Sequence, residues 1–284
     1  MASSRTLING TGYDIKKGRT LIGGTGYDIK KGRTLIGGTG YDISFTTPLG
    51  ELPTGASAFA NYNNTRREFI VLHQGNPDSS IYDDSCNGTW LCIKNIYDKR
   101  YYNNTQGIGN YYANSVINYD LNNTYLNLFD AAMQSMIKQV KIPYRTNGYK
   151  YGGEEMHGAN GLLTKLFLLS ANEINWTQGE AASDGDTSML KDLPTDGACL
   201  SYFSGCTYSD QKRVSLLDGV DTSWGLRTPV IDSDDGGKYA YAVDTSGSPS
   251  YWSTTFQDNE GIRFAFLLSP DTQVDDSFNI ITTS

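Results

Sequence analysis

Uninterrupted apolar runs bounded by turn residues are the strongest pattern in this chain. Phe69-Ile70-Val71-Leu72-His73 is followed by Gln74-Gly75-Asn76-Pro77-Asp78, and Trp90-Leu91-Cys92-Ile93 is preceded by Asn87-Gly88-Thr89. Such runs read as buried strands, and their succession predicts one long hairpin. Lys165-Leu166-Phe167-Leu168-Leu169 reads as another strand, and Ser170-Ala171-Asn172-Glu173 has the spacing of a capping box that opens a short helix. A helical stretch covers Ser115 to Asn122. A clearer one starts at Asp130 as N-cap, with Met133, Met136, Ile137 and Val140 on one apolar stripe and Pro143 closing it. Trp224-Gly225-Leu226-Arg227, Lys238 to Val243 and Gly261 to Phe266 complete the set as short strands joined by long loops. Within Lys238 to Val243, a period of two places Tyr239, Tyr241 and Val243 on one face and two alanines on the other. One face can then pack closely while the other presents phenols.

The first 44 residues follow a different rule. A fourteen-residue unit runs from Thr6 to Arg19, recurs from Thr20 to Arg33 with Gly23 in place of Asn9, and starts again at Thr34 before dissolving after Ile43. Each copy offers only Leu, Ile and Tyr for burial, so it must stack on neighbouring copies or on partner chains. The pieces Thr20-Leu21-Ile22 and Tyr27-Asp28-Ile29, broken by Gly23-Gly24-Thr25-Gly26 and Lys30-Lys31-Gly32, predict small strands in a zigzag. Gly24-Thr25-Gly26 lacks the third glycine, long preceding strand and following helix of a dinucleotide loop. The division is therefore residues 1–44 as a β-repeat arm and residues 45–284 as one large domain, with a flexible leader as the alternative for the arm.

Charge divides at the same boundary. Residues 1–44 hold seven Lys or Arg against three Asp, a balance of +4, and the whole chain is −8, which leaves −12 on the remainder. An acidic body speaks against nucleic acid and anionic membrane surfaces as its ligands. No apolar run is long enough to span a bilayer, and Met1-Ala2-Ser3-Ser4-Arg5 leads into the repeats without a hydrophobic secretion signal. The cysteines form two close pairs, Cys86 with Cys92 and Cys199 with Cys206, compatible with two local disulfides or with buried small side chains. Neither pair has zinc-knuckle spacing.

Twenty tyrosines, together with many Asn, Ser, Thr and Gly residues, make a vocabulary used by recognition surfaces. The candidate ligand-binding residues are Tyr239, Tyr241, Asp244, Ser250, Tyr251, Trp252, Thr254, Gln257, Asp258 and Asn259. Aromatic faces stack on sugar rings while short polar groups meet hydroxyls, and the same set serves a protein epitope. In the alternative reading, Trp252 and Phe256 form a small core under their own loop. Glu154, Glu155 and His157 lie in a Gly-rich loop and read as loop charges rather than acid–base machinery. Asp232-Ser233-Asp234-Asp235-Gly236-Gly237 is a candidate calcium segment without the spacing of a helix-loop-helix site, and Asp184 with Asp186 is a weaker one, so the expectation is no cofactor, with calcium as the alternative.

Several of these strings together resemble a domain family of unknown function widespread in gut bacteria and their phages. They are Glu68 to Pro77, Cys86 to Leu91, Phe129-Asp130 leading to Ile137–Tyr144, Phe167 to Glu173, Asp196 to Tyr202, Trp224 to Pro229, and Gly261-Ile262-Arg263. The resemblance implies an α+β, C-type-lectin-like fold: a small mixed sheet, short helices and long loops. It also implies a shape related to those of formylglycine-generating enzymes and of the variable proteins that diversity-generating retroelements mutate. Trp224, Arg227, Gly261 and Arg263 would be framework, and Asp232 to Glu260 the exposed face. The chain departs from the commoner pattern at Gly225, where a second tryptophan is usual, and at Phe264-Ala265-Phe266. The repeats are similar to N-terminal segments of phage tail and fibre-like proteins.

The expectation is a virion structural protein without enzymatic activity, made in a bacterial host. The arm would bind other virion proteins, with a homotrimer as its plausible state, and the head would bind a host-surface glycan or protein. A non-binding collar or decoration protein is the alternative, and a glycan-cleaving tail enzyme is a further one. An oxidase of the formylglycine-generating kind would need cysteines near the terminal strands, and none follows Cys206.

Overall fold

The computed structural model describes residues 46–104, 109–182, 185–231, 237–254 and 259–282, together with the backbone of six strands in the repeats. Those six are β1 (Arg5–Ile8), β2 (Thr11–Asp14), β3 (Gly18–Ile22), β4 (Thr25–Ile29), β5 (Lys31–Ile36) and β6 (Thr39–Ser44). They form three separate antiparallel hairpins, β1–β2, β3–β4 and β5–β6. The zigzag is thus hairpins, with Asn9-Gly10, Gly23-Gly24 and Gly37-Gly38 between their strands, the dipeptides that favour two-residue hairpin turns. The register repeats with the sequence: Arg5 faces Asp14, Arg19 faces Asp28 and Arg33 faces Asp42. Gly26 lies opposite Leu21 inside a hairpin, not in a phosphate loop.

In chain order the rest comprises β7 (Thr47–Pro48), β8 (Ser57–Tyr62), β9 (Thr65–Gly75), β10 (Gly88–Ile93), β11 (Lys99–Tyr101), α1 (Val116–Asp120), α2 (Ala131–Met136), β12 (Val140–Ile142), β13 (Tyr144–Arg145) and β14 (Glu155–Met156). There follow β15 (Leu162–Thr164), β16 (Phe167–Leu168), β17 (Leu216–Leu217), β18 (Val220–Asp221), β19 (Trp224–Pro229), β20 (Tyr239–Val243), β21 (Pro249–Ser253), β22 (Asn259–Gly261), β23 (Phe264–Leu268) and β24 (Gln273–Val274). This is a sheet-rich α+β architecture.

Two five-stranded sheets organise it. The first runs β16-β23-β10-β9-β8 and the second β11-β22-β19-β20-β21. The expected hairpin is β9–β10, with Phe69 opposite Ile93 and His73 opposite Trp90. Strands β10 and β23 are buried along their whole length, which is why their sequences are continuous apolar runs rather than alternating ones. Tyr62, Phe69, Phe129, Phe264 and Phe266 pack as an aromatic cluster, with ring centroids 4.6 to 6.4 Å apart in the contacting pairs. Strand β7, which follows the arm, pairs with β24 and so closes the head on itself.

The first helical stretch runs past its expected end, and the second stops short of it. Ser115 caps α1, accepting from Asn118 N at 3.2 Å, and a π turn continues it through Leu121–Tyr125. Asp130 caps α2 through Met133 N at 2.8 Å, as expected, but the helix stops at Met136 because Ile137 is extended (ψ 118°). Val140 belongs to β12, paired with β15, so the apolar stripe combined a helix with a strand. Ser170 and Glu173 make the reciprocal capping-box bonds, yet the segment they open is a run of turns rather than a helix.

Buried arginines bind the two sheets together. Arg227 of β19 donates to Leu168 O of β16 at 2.8 Å, and Arg263 donates to Ile93 O of β10 at 3.2 Å while stacking 5.0 Å from the Trp224 ring. Trp224, Arg227, Gly261 and Arg263 are all buried, the positions the resemblance assigns to framework. All four cysteines are free, and burial pushes the Cys92 thiol up to about 11 and the Cys86 thiol to about 12, which keeps both protonated and inert at neutral pH.

Candidate functional site

Strands β20 and β21 pair with Tyr241 opposite Tyr251 and Tyr239 opposite Ser253, so the three tyrosines share one face. Tyr251 lies 5.8 Å from Tyr239 and 6.0 Å from Tyr241, ring to ring. Tyr239 and Tyr251 are exposed by 38% and 41%, but Tyr241 by only 2%. A turn at residues 187–190 covers it, and its hydroxyl donates to Met189 O at 2.8 Å. Burial, reinforced by Tyr251 and Asp192, raises the Tyr241 pKa, so this phenol stays neutral.

The other sequence candidates divide. Trp252 is fully buried, with its ring against the Gly225 backbone and 5.1 Å from Tyr102 in an edge-to-face pair, so it packs into the core of the sheet and not against a ligand. A Cβ on Gly225 would fall 2.1 Å from that indole, which explains the glycine where the resemblance leads one to expect tryptophan. Thr254 is also buried, its hydroxyl donating to Gly237 O and Lys238 O, and ties the start of β20 down instead of facing solvent. Asp244 accepts from Ser246 N, Ser246 Oγ and Ser248 N and forms a turn. Ser250 is half-buried opposite Ala242, and Asn259 is exposed on β22 opposite Tyr101. Gln257 and Asp258, along with Phe256, lie outside the described residues, as do Asp232 to Gly236 of the calcium segment. Among the described residues no cluster of three or more His, Cys, Asp or Glu side chains is arranged to hold a metal ion.

The tyrosine face forms one side of a cleft of about 330 Å³. Val230, Ile231 and Tyr241 line it with Tyr251; Ser188, Met189, Lys191 and Asp192 come from the covering turn, and Lys150 comes from the tip of the β13–β14 hairpin. Sequence reading missed these walls, because they come from segments remote from the tyrosines in the chain. Buried polar groups hold both. Asn110 donates to Val230 O at 3.2 Å and Tyr239 O at 2.8 Å and accepts from Gly148 N at 2.8 Å, clamping the hairpin tip to β20 and to the residue that follows β19. Any Cβ on Gly148 would meet Asn110 and Val230 O at 2.2 Å, so only glycine allows this approach. Arg145 props the tip from within by donating to Asn147 O at 2.9 Å and Tyr149 O at 3.2 Å. Tyr149 and Tyr151, which flank Lys150, are 54% and 92% exposed.

An ionic core is buried in the same domain. Arg227 makes a two-pronged bond to Glu173, at 2.7 and 2.6 Å, and donates to Asp196 O at 2.9 Å; Tyr82 donates to Glu173 at 2.8 Å. The Asp196 carboxylate is fully buried, and neither oxygen has a donor at full hydrogen-bond geometry among the described residues. Burial, only partly offset by Arg227 and the nearby Thr228 hydroxyl, lifts its pKa to about 7. Glu155 and His157, expected as loop charges, hold the adjoining backbone: Glu155 accepts from Thr195 N at 2.9 Å, and His157 Nε2 lies 2.7 Å from Thr195 O. Ser201 Oγ sits 2.8 Å from His73 Nδ1, a nucleophile–base distance. That nitrogen also accepts Ser201 N at 3.2 Å, which makes the contact a cap on the turn beginning at Ser201 rather than a poised proton acceptor.

Residues 87–270, more than half of the chain, match the family model of a domain of unknown function (DUF6273). No curated protein and no solved structure matches the chain significantly.

Proposed function

From the premise that the chain belongs to the DUF6273 family, we propose that it is a virion adhesin: a repeat arm that fixes it to other virion proteins and a C-type-lectin-like head that binds a host surface. The observation that carries the reading is the separation of two jobs along the chain. Among the described residues, β1 to β6 pair only with one another, while the head closes on itself through β7 and β24. An isolated two-stranded hairpin is marginal in water, so the arm gains most by docking on a partner or on further copies of itself, a trimer included. The cleft belongs to the second sheet, where β21 is the outer strand, whereas the arm enters beside β7, the partner of β24. The small mixed second sheet, two short helices and long loops support the lectin-like reading of the head. Adenine-rich codons between Trp224 and Gly261 would support targeted diversification.

Two measurements test the proposal. Deletion of residues 1–43 should leave a folded head that no longer enters particles, and normal incorporation would sink the mount. The purified head should bind whole host cells, and a head that binds none would leave only an architectural part.

A further inference from the structure

We propose that the cleft between β20–β21 and the 187–192 turn binds a carboxylate-bearing saccharide, with Tyr251 as stacking platform and Lys150 and Lys191 as anion contacts. The inference rests on the adhesin reading and names the ligand class for its head.

Size and shape favour a sugar over a protein epitope. A concave site of about 330 Å³ lies at the low end of small-molecule pockets, whereas a protein partner needs a patch of roughly 800 Å² per side. The half-exposed Tyr251 ring offers an apolar face at the rim, while Ser188 and Asp192 supply short polar groups for hydroxyls. The sign of the charge selects the acid. Residues 45–284 carry 16 basic against 28 acidic side chains, yet two lysines and one aspartate are among the residues lining the cleft. That local inversion on an acidic body gives an anionic sugar a favourable contact. The two lysines arrive from separate segments, each fixed by buried polar contacts: the tip through Asn110 and Arg145, the turn through the Tyr241–Met189 bond. Lysine serves here as a point charge on a flexible stem, able to reach a carboxylate without fixed geometry.

The test uses the full chain and isothermal titration calorimetry against methyl glucuronide, methyl galacturonide and the methyl glycoside of N-acetylneuraminic acid, each paired with its neutral methyl ester. At least one acid should bind tenfold or more tighter than its ester, the loss of about one charge-assisted contact. The double variant Lys150→Ala/Lys191→Ala should reduce the acid to the affinity of the ester, and Tyr251→Ala should weaken both. All three side chains are exposed, so thermal melts should match the parent. Equal affinity for acid and ester across the panel, or an unchanged acid affinity in the double variant, overturns the proposal. Whole-cell binding by the same proteins separates the two readings. If the parent and the double variant bind cells equally, the acidic ligand fails while the adhesin stands. If the acid binds by the lysines but cells are not bound, the ligand class stands and the adhesin fails.

Discussion

Asp196 should make the head less stable as pH rises from about 4 to neutrality, the reverse of the usual carboxylate effect. Its carboxylate lies fully buried with no donor at full hydrogen-bond geometry among the described residues, and its pKa is lifted from the ordinary 3.8 to about 7. Between those values the folded chain holds a proton that the unfolded chain has released. Each pH unit there costs about 1.4 kcal/mol of stability, and integration from pH 5.5 to 7.5 gives a loss of about 2 kcal/mol from this one group. Asp196→Asn keeps the shape of the protonated acid and removes the titration. Urea unfolding of parent and variant at both pH values therefore isolates the term: the variant should gain about 2 kcal/mol relative to the parent at the higher pH. Other groups titrating in this window cancel in the comparison. That includes His73, whose pKa burial lowers and whose own contribution would rise with pH. A parent–variant difference that is the same at pH 5.5 and 7.5 would refute an acid held protonated by burial.

Further outcomes follow from the same packing. Glu173→Gln strands the buried Arg227 guanidinium without its counter-charge and should cost about 3–5 kcal/mol in urea unfolding, with a loss under about 1 kcal/mol contradicting the pairing. Gly225→Ala should destabilise by about 1–3 kcal/mol, since the new Cβ meets the Trp252 ring, and should shift tryptophan fluorescence; an unshifted spectrum with an unchanged melt would show that the ring does not rest there. Asn110→Ala removes three bonds that clamp the hairpin tip, so trypsin should cut after Lys150 at least several-fold faster, read by mass spectrometry; unchanged cleavage would mean the tip is held by other contacts.

What was legible in the sequence was whatever local pattern decides. The apolar runs around Phe69 and Trp90 could be buried only as central strands, and β9–β10 has the expected pairing. The Ser170–Glu173 box was readable because its bonds are local, but the residue that gives Glu173 its charge partner lies 54 positions away at Arg227. The Met133–Val140 stripe misled because positions 133, 136, 137 and 140 satisfy a helical period, while Ile137 turns extended and Val140 finds a cross-strand partner in Thr164. Alternation correctly put Tyr239 and Tyr241 on one face. It could not show that a turn some fifty residues upstream lies over Tyr241, nor that Trp252 fills the space left by Gly225.

The same limit explains why the cleft's charges escaped notice. Lys150 sits in a stretch that reads as a Gly-rich loop and Lys191 in one with no periodic signal; only the fold brings both beside Tyr251. The tyrosines were conspicuous in composition, yet they serve different roles in this head: core rings such as Tyr62 and Tyr102, a buried anchor in Tyr241, an exposed neighbour in Tyr239 and a rim group in Tyr251. Frequency of a residue type therefore locates nothing; what distinguishes the rim is exposure beside positive charge on an otherwise acidic domain. By that criterion the proposed recognition surface extends from β20–β21 across the cleft to Tyr149 and Tyr151, on a hairpin whose Gly148 has no alternative residue that fits.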